Sequence, residues 1–134
     1  MKLNPPKLEH NRFVVSNLED CVSFYQNLFG FEISWEGKQP TGERWVHLKK
    51  GEMYLSISQA VLPKNKRIIP EDYSIMNGYQ HMGWVVQDIE DYKNVLMENE
   101  INYKEVKTEV GNHIYFFDPA NNEIELTQYK RNSA

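Results

Sequence analysis

His10, His81 and Glu125 are the residues in this chain whose types suit a divalent transition metal. His10 opens the stretch HNRFVVSNLED (residues 10–20), and His81 opens HMGWVVQDIED (residues 81–91). Five of the eleven positions are identical, and Phe13/Trp84, Asn17/Asp88 and Leu18/Ile89 are conservative pairs. A repeat of that quality within 134 residues means one module used twice, each copy supplying a histidine at the same place. Imidazole and carboxylate together suit Fe, Mn, Zn, Ni or Co, and three protein ligands leave positions open for water or substrate oxygens. A single strand histidine is more often a hydrogen-bonded structural residue. Two at repeat-equivalent positions, with a glutamate aimed at the same side, point to a metal.

The elements that must position these residues follow from periodicity. Leu8 to Val15 reads as a strand, Ser16 or Asn17 as a helix cap, and Leu18, Cys21, Val22, Tyr25, Leu28 and Phe29 recur at helical spacing up to Gly30. FEISWEG, ERWVHLKK and EMYLSISQ are three further strands. The order then repeats: GYQHMGWVV a strand, DIEDYKNVLMENE a helix, and NYKEVKTEV, NHIYFFD and NEIELTQY three strands. The expected class is α+β: two β-α-β-β-β modules pairing into a half-open eight-stranded barrel, with helices on the convex face. Module one covers about residues 8–59, a linker about 60–79 and module two about 80–128, within a single domain. Residues 1–7 read as an arm, because Pro5 and Pro6 fix φ and remove two donors.

Strand alternation assigns the faces. Asn11, Phe13 and Val15 share the helix side with Met82, Trp84 and Val86 of the second copy, and Phe13 and Trp84 are expected in the core. His10, His81, Glu123 and Glu125 then face the concave side, while Ile124 and Leu126 face the helix. Tyr54, His47, His113 and Tyr115 line the same concavity from central strands. Cys21 falls on the apolar helix stripe and reads as packing. Asp118-Pro119-Ala-Asn-Asn is turn chemistry with no catalytic part.

Composition excludes several classes. A net charge of −4 argues against nucleic acid, and the one dense basic run, KNKR at 64–67, reads as a solvated loop between Pro63 and Pro70. No stretch approaches the roughly 18–20 apolar residues of a membrane span, and MKLNPPKLEH lacks the apolar centre of a secretory signal. With Cys21 as the only cysteine, an internal disulfide is impossible and a cytoplasmic location is expected.

Three motifs carry a resemblance: H-x4-V-x-N-L-E-x4-F-Y-x3-F-G-F (His10 to Phe31), HMGWVVQDIED, and Y-F-F-D-P-x-N-N-x-I-E-L (Tyr115 to Leu126). Together they resemble the vicinal oxygen chelate superfamily, which includes glyoxalase I, methylmalonyl-CoA epimerase, extradiol dioxygenases and the fosfomycin- and bleomycin-resistance proteins. The resemblance implies metal ligands on the first and last strands of each module, matched by His10, His81 and Glu125. In module one the last-strand position falls on Tyr54 or Ser56, where glyoxalases and epimerases carry Glu or Gln. That departure weakens an isomerase reading, and Val14 stands where glyoxalase I has a substrate-gripping arginine.

Members with three ligands include extradiol dioxygenases and fosfomycin-resistance transferases. Ile114-Tyr115-x-x-Asp118-Pro119 followed by Glu125 resembles part of the dioxygenase signature, although its histidine would fall at 106–108, which reads Val-Lys-Thr. His113 would then act as acid–base group, with Tyr115 and Glu125 beside it. A phosphonate would need cations, of which alternation offers chiefly Arg12. The expectation is a cytoplasmic, metal-dependent glyoxalase- or dioxygenase-like enzyme holding a small substrate through adjacent oxygens. Its catalytic residues are Glu125, His113 and Tyr115, and Arg12, Tyr54, Ser56 and His47 line the substrate site. Nickel or zinc would suit glyoxalase-like chemistry, and iron or manganese ring cleavage. A homodimer is expected, without nucleic-acid or membrane partners. The rival expectation is a metal-free drug- or metabolite-binding protein of the bleomycin-resistance type.

Overall fold

A computed structural model describes residues 8–38, 40, 42–60 and 81–130. The expected arm, nearly all of the expected linker and the KNKR run lie outside the described residues. Two compact units, Met1–Asn65 and Lys66–Ala134, each carry one copy of the repeat.

The first unit runs β1 (His10–Val15), α1 (Leu18–Phe29), β2 (Glu32–Lys38), β3 (Arg44–Lys50) and β4 (Met53–Gln59). The second runs β5 (His81–Val85), α2 (Ile89–Glu98), β6 (Lys104–Lys107), β7 (Gly111–Phe117) and β8 (Glu123–Tyr129). Each forms a four-stranded mixed sheet, ordered β1-β4-β3-β2 and β5-β8-β7-β6. The first and last strands pair in parallel, because the helix has carried the chain across the sheet between them. The two β-α-β-β-β modules of the sequence reading are the observed architecture.

Asn17 caps α1, its Oδ1 accepting the Asp20 N–H at 3.1 Å, and Glu19 and Asp20 complement the positive end of the helix dipole. Gly30, at φ 72°, ends α1 in the left-handed conformation that a glycine adopts without strain. Asp88 caps α2, its Oδ1 accepting the Glu90 N–H at 3.0 Å. In both modules a glutamine at the end of the last strand ties the helix to the sheet. Gln59 Oε1 accepts the Leu18 N–H and Gln128 Oε1 accepts the Ile89 N–H, each at 2.9 Å.

Leu18, Cys21, Val22, Tyr25 and Phe29 of α1 are buried, and Val46, Leu48, Leu55 and Ile57 from β3 and β4 are buried with them. Phe13 meets Tyr25 with ring centroids 5.9 Å apart, so β1 presents the expected face to the helix. Phe13 and Trp84, expected in the core, are half-buried, whereas Val15 and Met82 on the same faces of β1 and β5 are buried. β6 is shorter than NYKEVKTEV suggested: Thr108 turns the chain, its N–H and hydroxyl both reaching the Gly111 carbonyl. The Asp118 turn is as expected, with Oδ1 accepting the N–H groups of Ala120 and Asn122 and Asn121 left-handed at φ 64°. Among the described residues, no helix is long and apolar enough to cross a membrane.

Candidate functional site

In module two the chemistry gathers around Glu125. Register sets it opposite Gly83 on one side and Tyr115 on the other, with His81 paired to Glu123 and His113 to Thr127. All of these share the sheet face opposite α2, two residues apart along each strand. His81 Nε2 lies 2.9 Å from Glu125 Oε1, while its Nδ1 lies 3.2 Å from Glu123 Oε1. The other carboxylate oxygen of Glu125 accepts from Thr127 Oγ1 at 2.9 Å and Tyr115 OH at 3.2 Å, and His113 Nδ1 stands 3.0 Å away.

His113 is only 8% exposed, and its Nε2 lies 2.8 Å from the Thr108 hydroxyl. The ring is held at both nitrogens, Nδ1 by Glu125 and by Thr127 Oγ1 at 2.9 Å, and Nε2 by Thr108. Burial works against ionisation of Glu125, yet the Thr127 and His113 hydrogen bonds, the nearby His81 and the Tyr115 hydroxyl together hold its carboxyl below the ordinary value. Burial and the Glu125 charge push the Tyr115 phenol up, so it remains a proton donor. A Cβ at Gly83 would stand 3.8 Å from Glu125 Oε1, an ordinary contact.

Module one places different groups on the same frame. His10 Nδ1 lies 3.0 Å from Glu9 Oε1, and its ring meets Tyr54 edge-on at 4.8 Å. The Tyr54 hydroxyl lies 2.5 Å from His47 Nδ1. Burial, then the neighbouring His10 and Arg12, lower the His47 pKa, so the ring is neutral. Its Nε2 is buried with no partner among the described residues. Arg12 Nη2 donates to Ser58 Oγ at 3.1 Å, with the guanidinium 4.5 Å from the Trp45 ring centroid. Trp45 Nε1 donates to Ser56 Oγ at 2.5 Å. Ser56 and Ser58 are buried, and their small size lets these long side chains lie over the central strand.

Register resolves the Tyr54-or-Ser56 alternative. Ser56 pairs with Arg12 as Glu125 pairs with Gly83, so Ser56 is the counterpart of Glu125 and Tyr54 that of Glu123. Within module one the structure brings together His10, Arg12, His47, Tyr54 and Ser56; within module two, His81, His113, Tyr115 and Glu125. Glu123, Thr127 and Thr108 were not singled out as site residues. The first two stand two positions either side of Glu125, and alternation alone put them on its face. Trp35 was missed because a register irregularity between Ile33 and Trp35 breaks the alternation of β2.

Whether these groups suit a metal is a matter of donor chemistry. His81 Nε2 and Glu125 Oε1 are separated by 2.9 Å. That is about the span of two ligands bound to one ion at roughly 2.1 Å each. Glu123 behind the other imidazole nitrogen supplies the outer carboxylate that metal-bound histidines generally have. Among the described residues no three His, Cys, Asp or Glu side chains form a ready cage. The pair therefore fits as two ligands of a site that needs a third.

The chain is 27% identical over 124 residues to the metallothiol transferase FosB of Staphylococcus haemolyticus, covering 89% of this chain and 81% of that protein. Among solved structures, it superposes on the fosfomycin resistance protein FosX of Listeria monocytogenes, complexed with Mn(II) and sulfate, with a TM-score of 0.72. Identity there is 19%, with 97% of this chain and 98% of that one covered. TnmS3, an antibiotic binding protein from Streptomyces sp. CB03234, matches at TM-score 0.70 and 19% identity, over 96% of this chain and all of that one (100%). The fold is thus shared by proteins that differ in what they do. A family model spans residues 7–126, and by that match the chain belongs to the Glyoxalase/Bleomycin resistance protein/Dioxygenase superfamily.

Proposed function

We propose that the protein is a metal-dependent enzyme of the vicinal oxygen chelate type, with His10, His81 and Glu125 as ligands of a divalent ion. The observation that carries this reading is the His81–Glu125 pair at 2.9 Å, each member backed by further polar groups. The Mn(II) in FosX and the metallothiol transferase activity named for FosB support the same chemistry for this chain. The ion, one of Fe, Mn, Zn, Ni or Co, supplies Lewis acidity that stabilises negative charge on two neighbouring oxygens of a small substrate.

The chain's own residues do the rest. Glu123 fixes the His81 ring, so Nε2 is the nitrogen presented. Thr127 and Tyr115 orient Glu125 and hold it ionised. His113, beside Glu125, is the acid–base group, and Thr108 at its Nε2 fixes the orientation of the ring. Arg12 grips an anionic group of the substrate, while Tyr54, His47 and Ser56 line the module-one side. The protein works as a homodimer in the cytoplasm, and His10 of one copy or the other completes the ligand set.

Elemental analysis of untagged protein purified without chelator tests this reading. About one equivalent of metal per chain is expected, and it should be lost in His81→Ala, His10→Ala and Glu125→Gln. Absence of metal, with none taken up from Fe, Mn, Ni, Co or Zn solutions, would overturn the proposal. The metal-free binding alternative, favoured by the rings gathered in module one, would then stand.

A further inference from the structure

On module one, five rings crowd the sheet face that α1 leaves uncovered. Trp35 stands 5.3 Å from Trp45 and 4.8 Å from His47, His47 stands 4.8 Å from Tyr54, and Tyr54 stands 4.8 Å from His10, centroid to centroid. The row crosses the sheet from β2 at one edge to β1 at the other. Its middle is internally satisfied, with Trp45 bonded to Ser56 and Tyr54 to His47. At its β1 end His10 meets Glu9, which leaves Trp35 at the β2 end and, two residues along β1 from His10, Arg12.

At the β2 end Trp35 is 44% exposed. The outer edge of its six-membered ring occupies the space beside Gly37, where a Cβ would come within 2.3 Å of Cη2 and 2.4 Å of Cζ2. Glycine is thus what allows the indole to occupy this place, where nearly half of its surface is open to solvent. From β1 the Arg12 guanidinium reaches over Trp45, and Ser58 holds it in place. Among the described residues no carboxylate pairs with Arg12. Trp35 and Arg12 both lie within 5.3 Å of the Trp45 ring, so a bicyclic ring with one charged substituent is long enough to reach both.

We propose that this face of module one is a stacking site for a planar aromatic ring bearing an anionic group, Trp35 supplying the surface and Arg12 the charge. The inference rests on the reading of the chain as a small-molecule site and narrows the substrate class. It does not need the metal. Trp35 presents a π-face that rewards an aromatic ring over a saturated one of equal area. The guanidinium rewards a carboxylate or phosphonate over a neutral group.

Titration calorimetry on the full chain, both EDTA-stripped and zinc-loaded, tests the site with 2-naphthoate, its saturated analogue decahydro-2-naphthoate and the neutral 2-naphthamide. Naphthoate should bind both forms of the protein and shift the Trp35 indole N–H resonance. Trp35→Ala and Gly37→Val should each weaken it about tenfold, and Trp35→Phe far less. Arg12→Gln should weaken naphthoate about fivefold and leave naphthamide unchanged. Equal binding of the aromatic and saturated acids, no binding at all, binding only to the zinc form, or indifference to both Trp35→Ala and Gly37→Val would overturn the proposal. Protein that takes up no metal yet binds naphthoate in this pattern would sink the metal reading alone.

Discussion

Glu125 sits among four donors or potential donors, and its behaviour follows from their number. Replacing it with Gln keeps the shape but turns one carboxylate oxygen into an NH2 group that faces donors. We expect Glu125→Gln to abolish metal retention. Tyr115→Phe removes one of the surrounding bonds and should weaken metal binding only several-fold, in line with a net hydrogen-bond worth of about 1 kcal/mol. The pH dependence has a definite sign. A carboxyl held below its ordinary value of 4.5 in the folded state contributes stability above that value and loses it as pH falls through the lower, folded one. Thermal unfolding of metal-stripped protein should therefore fall less steeply on the acid side in Glu125→Gln than in the parent. A parallel fall would show that Glu125 is not held ionised by its neighbours. At this scale the sequence displayed the metal-type residues, because the repeat and period-2 alternation mark them. It did not display their partners. Which of Glu123, Thr108 or Thr127 meets which ring depends on register between strands, and register is set by the whole sheet.

The elements were mostly legible, caps included, since Asn17, Asp88 and Gly30 act through local geometry that a short stretch encodes. The glutamine ties were not. Gln59 and Gln128 end their strands with no local signature, yet each closes an exposed end of a helix about 40 residues earlier in the chain. Gln59 also donates to the Ser16 carbonyl at 2.7 Å, so one side chain satisfies both sides of the β1–α1 turn. Gln59→Ala is expected to cost about 1–3 kcal/mol in urea unfolding, because two backbone groups lose their partner together. Glycines separate by what stands behind them. Gly30→Ala meets only the flexible end of Lys50, and its cost of about 1 kcal/mol comes from the left-handed backbone. Gly111→Ala would drive a Cβ to 2.3 Å from the Gln128 carbonyl oxygen, forcing β7 and β8 apart. It should cost about 3 kcal/mol or more, and a value no larger than that of Gly30→Ala would refute the packing argument.

At the scale of the molecule, one fold has been given two faces. The position that is Glu125 in module two is Ser56 in module one, and the position that is Arg12 in module one is Gly83 in module two. Duplication supplied the frame, and small residues opposite large ones decided which face carries rings and which carries ionisable groups. The sequence revealed the duplication because backbone pattern and caps persisted in both copies; it concealed the division of labour because that lies in cross-strand pairs. The proposed ligand set makes this division testable without any substrate. A ligand that binds only the folded state stabilises it by about 2.7 kcal/mol at a hundredfold excess over Kd, and that protection reaches the elements supplying the ligands. If His10, His81 and Glu125 hold one ion, zinc should slow amide exchange in β1 as well as in β5 and β8. In His10→Ala, which should not retain the ion, the zinc-dependent protection should vanish from all three strands. Protection confined to β5 and β8 in the unmodified protein would remove His10 from the ligand set, leaving module one to the substrate alone.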